Sequence, residues 1–336
     1  MTTSTEELAA NNPYTMRVSR EDSSSANNIW VWKGATFAWS GLFALSWIIN
    51  GNGSGSGMRG TATPRVVASS ALLKDKDDTV PVVANKNDDA LQNKFVTSAT
   101  KCSTLLSAET IKEFSRSQSN EDETLLRWFS TLCGGTYIEL GALNGERFSN
   151  SYLFHFGLGW SGVLIELVES NYQELIKRRP NELATIHAGV CNEPQTLHYY
   201  AENSSVGAIG GIYEFSTPQF REKWWKDVSL DDPRVKKLEC DTMDALLKKN
   251  TNTRFFDFMS LDVEGAELAV LESIDFERVG FGIVFAEADR SNELKNMAMR
   301  ELMESKGYSY LFETPSPRSY WWANKDFNSI YKEVLY

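Results

Sequence analysis

Tyr137-Ile-Glu-Leu-Gly-Ala-Leu-Asn-Gly145, followed one helix-length later by Leu164-Ile-Glu166, decides the fold class of this chain. Each stretch is an apolar run that ends in a carboxylate. The first then turns through two glycines. In a parallel α/β sheet this pattern builds a nucleoside pocket. The glycines let the backbone approach the ligand, and the second acid, at the end of the next strand, accepts the ribose hydroxyls. No Gly-x-x-x-x-Gly-Lys element stands there to hold phosphates. A ligand with a ribose and no pyrophosphate fits, and S-adenosylmethionine is the commonest such cofactor. A glycine turn alone is weak evidence, because such turns also pack helices on strands.

Working outward, the periodicity predicts strands near 136–140, 163–165, 185–190, 195–200, 255–262 and 282–286. Helices are expected from Asn120, over 149–156, 171–179, 242–249 and 293–306, and after Asp262. Residues 203–233 read as irregular, and the last thirty residues as aromatic-rich strands. Strands alternating with helices predict a doubly wound, mostly parallel sheet. Ligands bind such sheets at the carboxyl ends of the strands. Glu139, Glu166, Asp262 with Glu264, and Glu287 all stand at such ends.

Composition narrows the function. The chain has 336 residues, 42% hydrophobic, and a net charge of −11. That charge argues against a nucleic-acid surface, which needs clustered Lys and Arg. Cys102, Cys133, Cys191 and Cys240 form no Cys-x-x-Cys, so no metal site is expected. Cys133, Cys191 and Cys240 read most simply as buried apolar thiols, with a disulfide left open. No strained Ser elbow with His and Asp partners is visible, which disfavours a hydrolase. His155 and His187 read as structural.

The amino-terminal third reads differently. Residues 1–28 are polar and predict a flexible cytoplasmic tail. Residues 29–49 hold one charge, Lys33, with Trp30, Trp32 and Trp47 near the two ends. About 20 apolar residues span a bilayer, so this segment predicts a transmembrane signal anchor. The Lys and Arg bias predicts a type II orientation in the endoplasmic reticulum or Golgi. Residues 50–104, which start Gly- and Ser-rich, predict a linker or stem. The catalytic domain is expected over 105–336. Asn52 and Asn203 begin glycosylation tripeptides, usable only in a lumen.

Seven motifs occur in order: Ser117-Gln-Ser-Asn-Glu-Asp122, the 137–145 stretch, Phe148-Ser-Asn150, Gly159-Trp-Ser-Gly-Val-Leu-Ile-Glu166, Asn171-Tyr172, Arg179-Pro180 and Ser260-Leu-Asp-Val-Glu-Gly-Ala-Glu267. Over residues 117–310 the chain resembles the FkbM family of S-adenosylmethionine-dependent methyltransferases. The resemblance implies a Rossmann-like class I methyltransferase fold and O-methylation of a hydroxyl, often on a sugar or polyketide. It carries cofactor contacts onto Glu139, Gly141, Gly145 and Glu166. Ala142 and Asn144 of the same turn, Asn150, and Cys191 at the adenine edge complete the candidate cofactor set. Asp262 and Glu264 are the catalytic candidates, to orient or deprotonate the acceptor hydroxyl. As helix amino-terminal acids they also have a purely structural reading. The family commonly has Asp at Asn144 and Pro at Leu167. The rival to an enzyme acting on a hydroxyl, such as a glycan's, is a membrane-tethered binding or secretory trafficking protein that keeps the fold without turnover. Trp224, Trp225, Trp321 and Trp322 are candidates for core packing first and sugar stacking second.

Overall fold

A computed structural model describes residues 94–200, 210–315 and 318–335. The expected tail, anchor, most of the stem and both glycosylation tripeptides lie outside the described residues. No described helix is long and apolar enough to cross a membrane. The strands are β1 (Thr100–Lys101), β2 (Leu132–Cys133), β3 (Thr136–Leu140), β4 (Ser161–Glu166), β5 (Ala184–His187), β6 (Gly189–Val190), β7 (Gln195–Tyr200), β8 (Gly211–Ile212), β9 (Val235–Asp241), β10 (Phe255–Leu261), β11 (Gly280–Glu287), β12 (Tyr308–Pro315) and β13 (Arg318–Asn324). The main helices are α1 (Ala108–Phe114), α2 (Glu121–Phe129), α3 (Tyr152–Leu158), α4 (Glu169–Arg178), α5 (Pro218–Trp224), α6 (Met243–Asn250), α7 (Glu267–Glu272) and α8 (Glu293–Ser305).

Seven strands form the central sheet in the order β12-β13-β11-β10-β3-β4-β5. The five from β11 to β5 are parallel, and β13 runs antiparallel to both its neighbours. This is the mixed sheet of a class I methyltransferase-like α/β fold. Every residue of β3 and β10 is buried. Strands covered on both faces read as mostly apolar runs, and these do, interrupted by the buried Glu139, Asp257 and Ser260. Side chains alternate between two cores. Ile138, Leu140, Val284 and Trp322 enter one, whereas Tyr137, Ile283, Phe285 and Trp321 enter the other. The chain leaves β3 toward β4 on one side and takes up β10 on the other. That reversal opens a crevice above the carboxyl ends of β3 and β10.

The amino ends of the strands are closed by polar contacts. The buried Asp257 carboxylate accepts hydrogen bonds from Thr97 Oγ1 (2.5 Å), Thr136 N (2.7 Å) and Tyr331 Oη (2.7 Å). It thereby joins both termini of the described domain to the sheet. The folded body begins before residue 105. Ala99 is buried, β1 pairs with β2, and Cys102 is bonded to Cys133.

A second, four-stranded sheet, β6-β9-β7-β8, fills the insertion between β5 and α6. Its β9, Val-Lys-Lys-Leu-Glu-Cys-Asp, carries too many charges to read as a strand from sequence. Cys240 on β9 is bonded to Cys191, just after β6, with Cα atoms 5.9 Å apart. The reading of the cysteines as free thiols is therefore corrected: all four are paired. The pairs link neighbouring strand ends, a proximity that linear spacing does not display. Residues 211–233, read as irregular, hold β8 and α5, whose start is capped by Thr217 accepting from Phe220 N.

Candidate functional site

The crevice is a cleft of about 600 Å³, a size typical of small-molecule sites. Glu139, Gly141, Asn150, Glu166, Asp262 and Glu264 line it, together with Glu287. Six residues singled out from the sequence, far apart along the chain, are thus brought to one place. Ala142, Asn144, Gly145 and Cys191 are not among its walls.

Those four do other things. Ala142 is buried in the core, and its carbonyl accepts from Gly145 N. Asn144 Oδ1 accepts from Glu146 N (3.1 Å) and Arg147 N (2.9 Å), a turn that Asp would close equally well. Gly145 has φ +79°, and a Cβ there would strike Leu175 and Arg179. Cys191 is held in its disulfide, whereas its neighbours Gly189 and Val190 do line the cleft.

Gly141 fixes the centre of the site. Its φ is +77°, and an added Cβ would lie 1.9 Å from the Asp262 carbonyl oxygen. Only glycine lets the β3 turn pack against the end of β10. Glu139 braces the same turn. One of its oxygens accepts from Asn150 N (2.7 Å), the other from Ser149 Oγ (2.9 Å) and Ser151 Oγ. A carboxylate offers about four acceptor sites, so one is left. Burial pushes its pKa up, and Arg179 opposes the rise. Asn150 Nδ2 donates to Ser260 Oγ (2.9 Å), while its buried Oδ1 has no partner among the described residues. Glu166 is also engaged. It accepts from Leu143 N (2.8 Å), Val168 N (2.7 Å) and, more loosely, Asn171 Nδ2 (3.4 Å). Burial raises its pKa too.

Arg179 was not expected as a support. Wholly buried, it donates to Gly145 O (2.9 Å), Tyr137 Oη (2.7 Å) and Ser151 Oγ (3.0 Å). It also pairs with Glu182. From the end of α4 it holds the loop that Glu139 holds from β3. The Arg179-Pro180 motif is the one signal, and the resemblance assigns it no role.

The second half of the cleft is different. No described residue donates a hydrogen bond to the side chains of Asp262, Glu264 or Glu287, and Glu287 Oε2 is buried without a partner. Asp262 is exposed and lines the cleft. Enclosure by protein raises its carboxyl to about 7; Glu267, Glu121 and Glu139 add to the rise and Lys295 opposes it. Glu264, half-buried, is pushed up to about 9 by the same enclosure, then by Asp262 and Glu267. Burial raises Glu287 well above the carboxylate range. Glu264 also has φ +54°, a conformation disfavoured for a side chain with a Cβ. Its loop is held open by Glu267, which accepts from Val263 N (3.2 Å) and Gly265 N (3.1 Å) and pairs with the buried Lys295. Strain and raised carboxyl pKa values gather at functional sites. No group of three or more metal-ligating side chains among the described residues is arranged to hold an ion.

The rim carries residues that sequence reading missed, among them Arg147, Lys223 and Arg290. Of the four tryptophans considered, Trp225, Trp321 and Trp322 are core residues, but Trp224 is 45% exposed and lines the cleft. His155 lies away from the cleft, 3.0 Å from Trp160 O and beside Glu182.

The sequence model of the methyltransferase FkbM domain matches residues 139–310. No curated protein matches the chain in sequence. Among solved structures, a methyltransferase FkbM from Methylobacillus flagellatus is 14% identical, with a TM-score of 0.35, covering 64% of this chain and 50% of that one. This chain thus spans about half the length of the Methylobacillus protein. A TehB-like SAM-dependent methyltransferase from Corynebacterium glutamicum is 10% identical (TM-score 0.32, 65% and 94% covered). A fibrillarin pre-rRNA processing protein from Methanococcus jannaschii is 11% identical (TM-score 0.30, 57% and 67% covered).

Proposed function

Because the chain belongs to the FkbM methyltransferase family, we propose that it transfers a methyl group from S-adenosylmethionine to a hydroxyl of an acceptor. The observation that carries this reading is the division of one cleft into two chemically different halves. On the β3–β4 side every carboxylate is braced. On the β10–β11 side Asp262, Glu264 and Glu287 receive no side-chain hydrogen bond from a described residue, and only Asp289 is braced, by Ser291.

The braced half fits the cofactor. Gly141 lets the β3 turn pack against the Asp262 backbone at the cleft wall, a path that any side chain would block. The spare acceptor site of Glu139 and the unpartnered Asn150 Oδ1 suit an ammonium. Glu166, at the end of β4, is placed for ribose hydroxyls. When bound, S-adenosylmethionine supplies a methyl group on a cationic sulfur. The unpartnered acids complement positive charge, which eases their mutual repulsion.

The other half supplies the base. An acid with a pKa near 7 is matched to proton transfer at neutral pH. Asp262 would take the proton from the acceptor hydroxyl, whose oxygen gains the methyl group that the sulfur loses. Glu264, protonated at neutral pH, serves as a hydrogen-bond donor to the acceptor. Turnover then rises with pH as Asp262 ionises near 7.

We assign the domain to the lumen of the secretory pathway, tethered through residues 29–49, with a glycan as acceptor class. Two disulfides support an oxidising compartment. Calorimetric titration of the full chain with S-adenosylhomocysteine tests the central reading. Saturable binding is expected. A folded protein that binds neither this ligand nor S-adenosylmethionine would turn the assignment toward a tethered trafficking role.

A further inference from the structure

Asp262, Glu264, Glu287 and Asp289 line the cleft as acids, and Lys223 and Arg290 stand exposed at its rim. In a chain of net charge −11, cations on the rim of an acidic cleft are not a consequence of composition. Neither makes an ion pair with a described residue. Lys223 Nζ lies 4.3 Å from the Trp224 ring centroid, and Arg290 donates one hydrogen bond, to Pro315 O (3.1 Å). They belong to one rim, because Thr217 Oγ1 at the start of α5 is hydrogen-bonded to Ser291 Oγ (2.9 Å).

Two aromatic faces accompany the cations. Trp224 is exposed beside Lys223. Phe148, 36% exposed, lines the cleft at φ +57°, with the Arg147 guanidinium 4.7 Å from its ring centroid. A bulky residue held in the left-handed region is an outlier, and such strain persists where function maintains it. Exposed aromatic faces pack against the C–H face of a sugar ring, and cations beside them recognise carboxylate or sulfate.

From this arrangement, and resting on the methyltransferase reading above, we infer that the acceptor is an anionic saccharide. Its ring lies against Trp224, its acidic group meets Lys223 and Arg290, and a hydroxyl reaches Asp262. A neutral sugar would leave both cations without an anionic partner. A cationic one would be repelled by Lys223 and Arg290. A bound anion gains more from exposed cations at low salt, because screening weakens them.

The test uses the full chain saturated with S-adenosylhomocysteine, titrated with methyl glucuronide, methyl glucoside 6-sulfate and neutral methyl glucoside. At least one anionic probe should bind about tenfold tighter than the neutral one, with the advantage shrinking as salt rises. The two anionic arms distinguish a uronic acid from a sulfated sugar. K223Q and R290Q, both surface changes, should each remove most of that preference while S-adenosylhomocysteine affinity stays constant. W224A should weaken anionic and neutral probes alike. Equal affinity for neutral and anionic probes, no binding of any probe, or an anion preference untouched by K223Q and R290Q would overturn the inference. Failure to bind S-adenosylhomocysteine with the anion preference intact would instead overturn the methyltransferase reading and keep the rim.

Discussion

Asp257 and Asp262 stand at opposite ends of one strand, β10, and have opposite surroundings. Asp257, at the amino end, receives three donors from three parts of the chain. Asp262, at the carboxyl end, receives none among the described residues and faces two further acids in the same condition. Burial raises both carboxyls. The difference is that one cost is met inside the fold and the other is left for a ligand to relieve. A satisfied buried acid is a structural joint. An unsatisfied one at a cleft marks where the molecule gives up stability for chemistry.

The largest expected effects break the comparison directly. Asp257→Ala strands Thr136 N–H, the Thr97 hydroxyl and the Tyr331 hydroxyl in a dry environment. It should cost about 3–5 kcal/mol of stability, since several buried partners lose their acceptor at once. Asp262→Asn should lose no denaturant stability, and gain some at neutral pH as the raised carboxyl is removed, while lowering turnover by about 10²–10⁴, the usual worth of a general base. Urea titration of both variants, with turnover of the second, reads the contrast. Equal losses of stability at both positions would show that the two ends of β10 do not differ as described.

Much of this was legible in the sequence, and the exceptions have reasons. The acids at the strand ends, the glycine turn and the five parallel strands follow from local patterns: apolar runs closed by carboxylates, with helices between. Strands β3 and β10 are visible because burial on both faces makes them mostly apolar. The second sheet was hidden because β9 alternates charged and half-buried residues and pairs only across the insertion. Of the candidate set, Asn144 and Gly145 belong to the turn rather than the cleft. A glycine motif specifies a backbone path, and only packing decides which residues face the ligand. Arg179 was missed for the converse reason. Apart from Glu182, its partners lie 28 to 42 positions away in sequence, and no local pattern announces a buried arginine. The rim cations on α5 and after β11 are ordinary surface residues until the fold brings them to one opening.

Glu166 sits between the two extremes, and its substitution sharpens the comparison. It is braced by backbone donors, as Asp257 is, yet it lines the cleft, as Asp262 does. Glu166→Ala should therefore show both losses in reduced form. Stability should fall by about 1–2 kcal/mol as the N–H groups of Leu143 and Val168 lose their acceptor. Affinity for S-adenosylhomocysteine should fall by about 10- to 100-fold, as expected for lost hydrogen bonds to a charged group. Thermal melts and calorimetry on one preparation separate the two. A stability loss with unchanged affinity would make Glu166 purely a joint.

The smallest effect concerns Glu264 and its pH dependence. Held near 9 in the fold against an ordinary 4.5, it keeps a proton that the unfolded chain releases. Between those values the folded state binds more protons than the unfolded state, so stability falls as pH rises and levels off above about 9. Asp262, between 3.8 and about 7, contributes in the same direction. Glu264→Gln removes the first contribution, because the amide carries no titrating proton. At pH 5 the variant and the native chain should be nearly equal in stability. By pH 8 the variant should be ahead by about 1 kcal/mol or more, since each unit of pKa difference is worth about 1.4 kcal/mol. The carboxamide also keeps a donor, as the protonated acid does, so turnover at pH 7 should stay within about threefold. Parallel stability curves for the two proteins from pH 5 to 8 would mean that Glu264 is ionised in the fold. The strained turn at φ +54° would then hold a charge toward the cleft rather than a proton, and the donor role would pass to another residue.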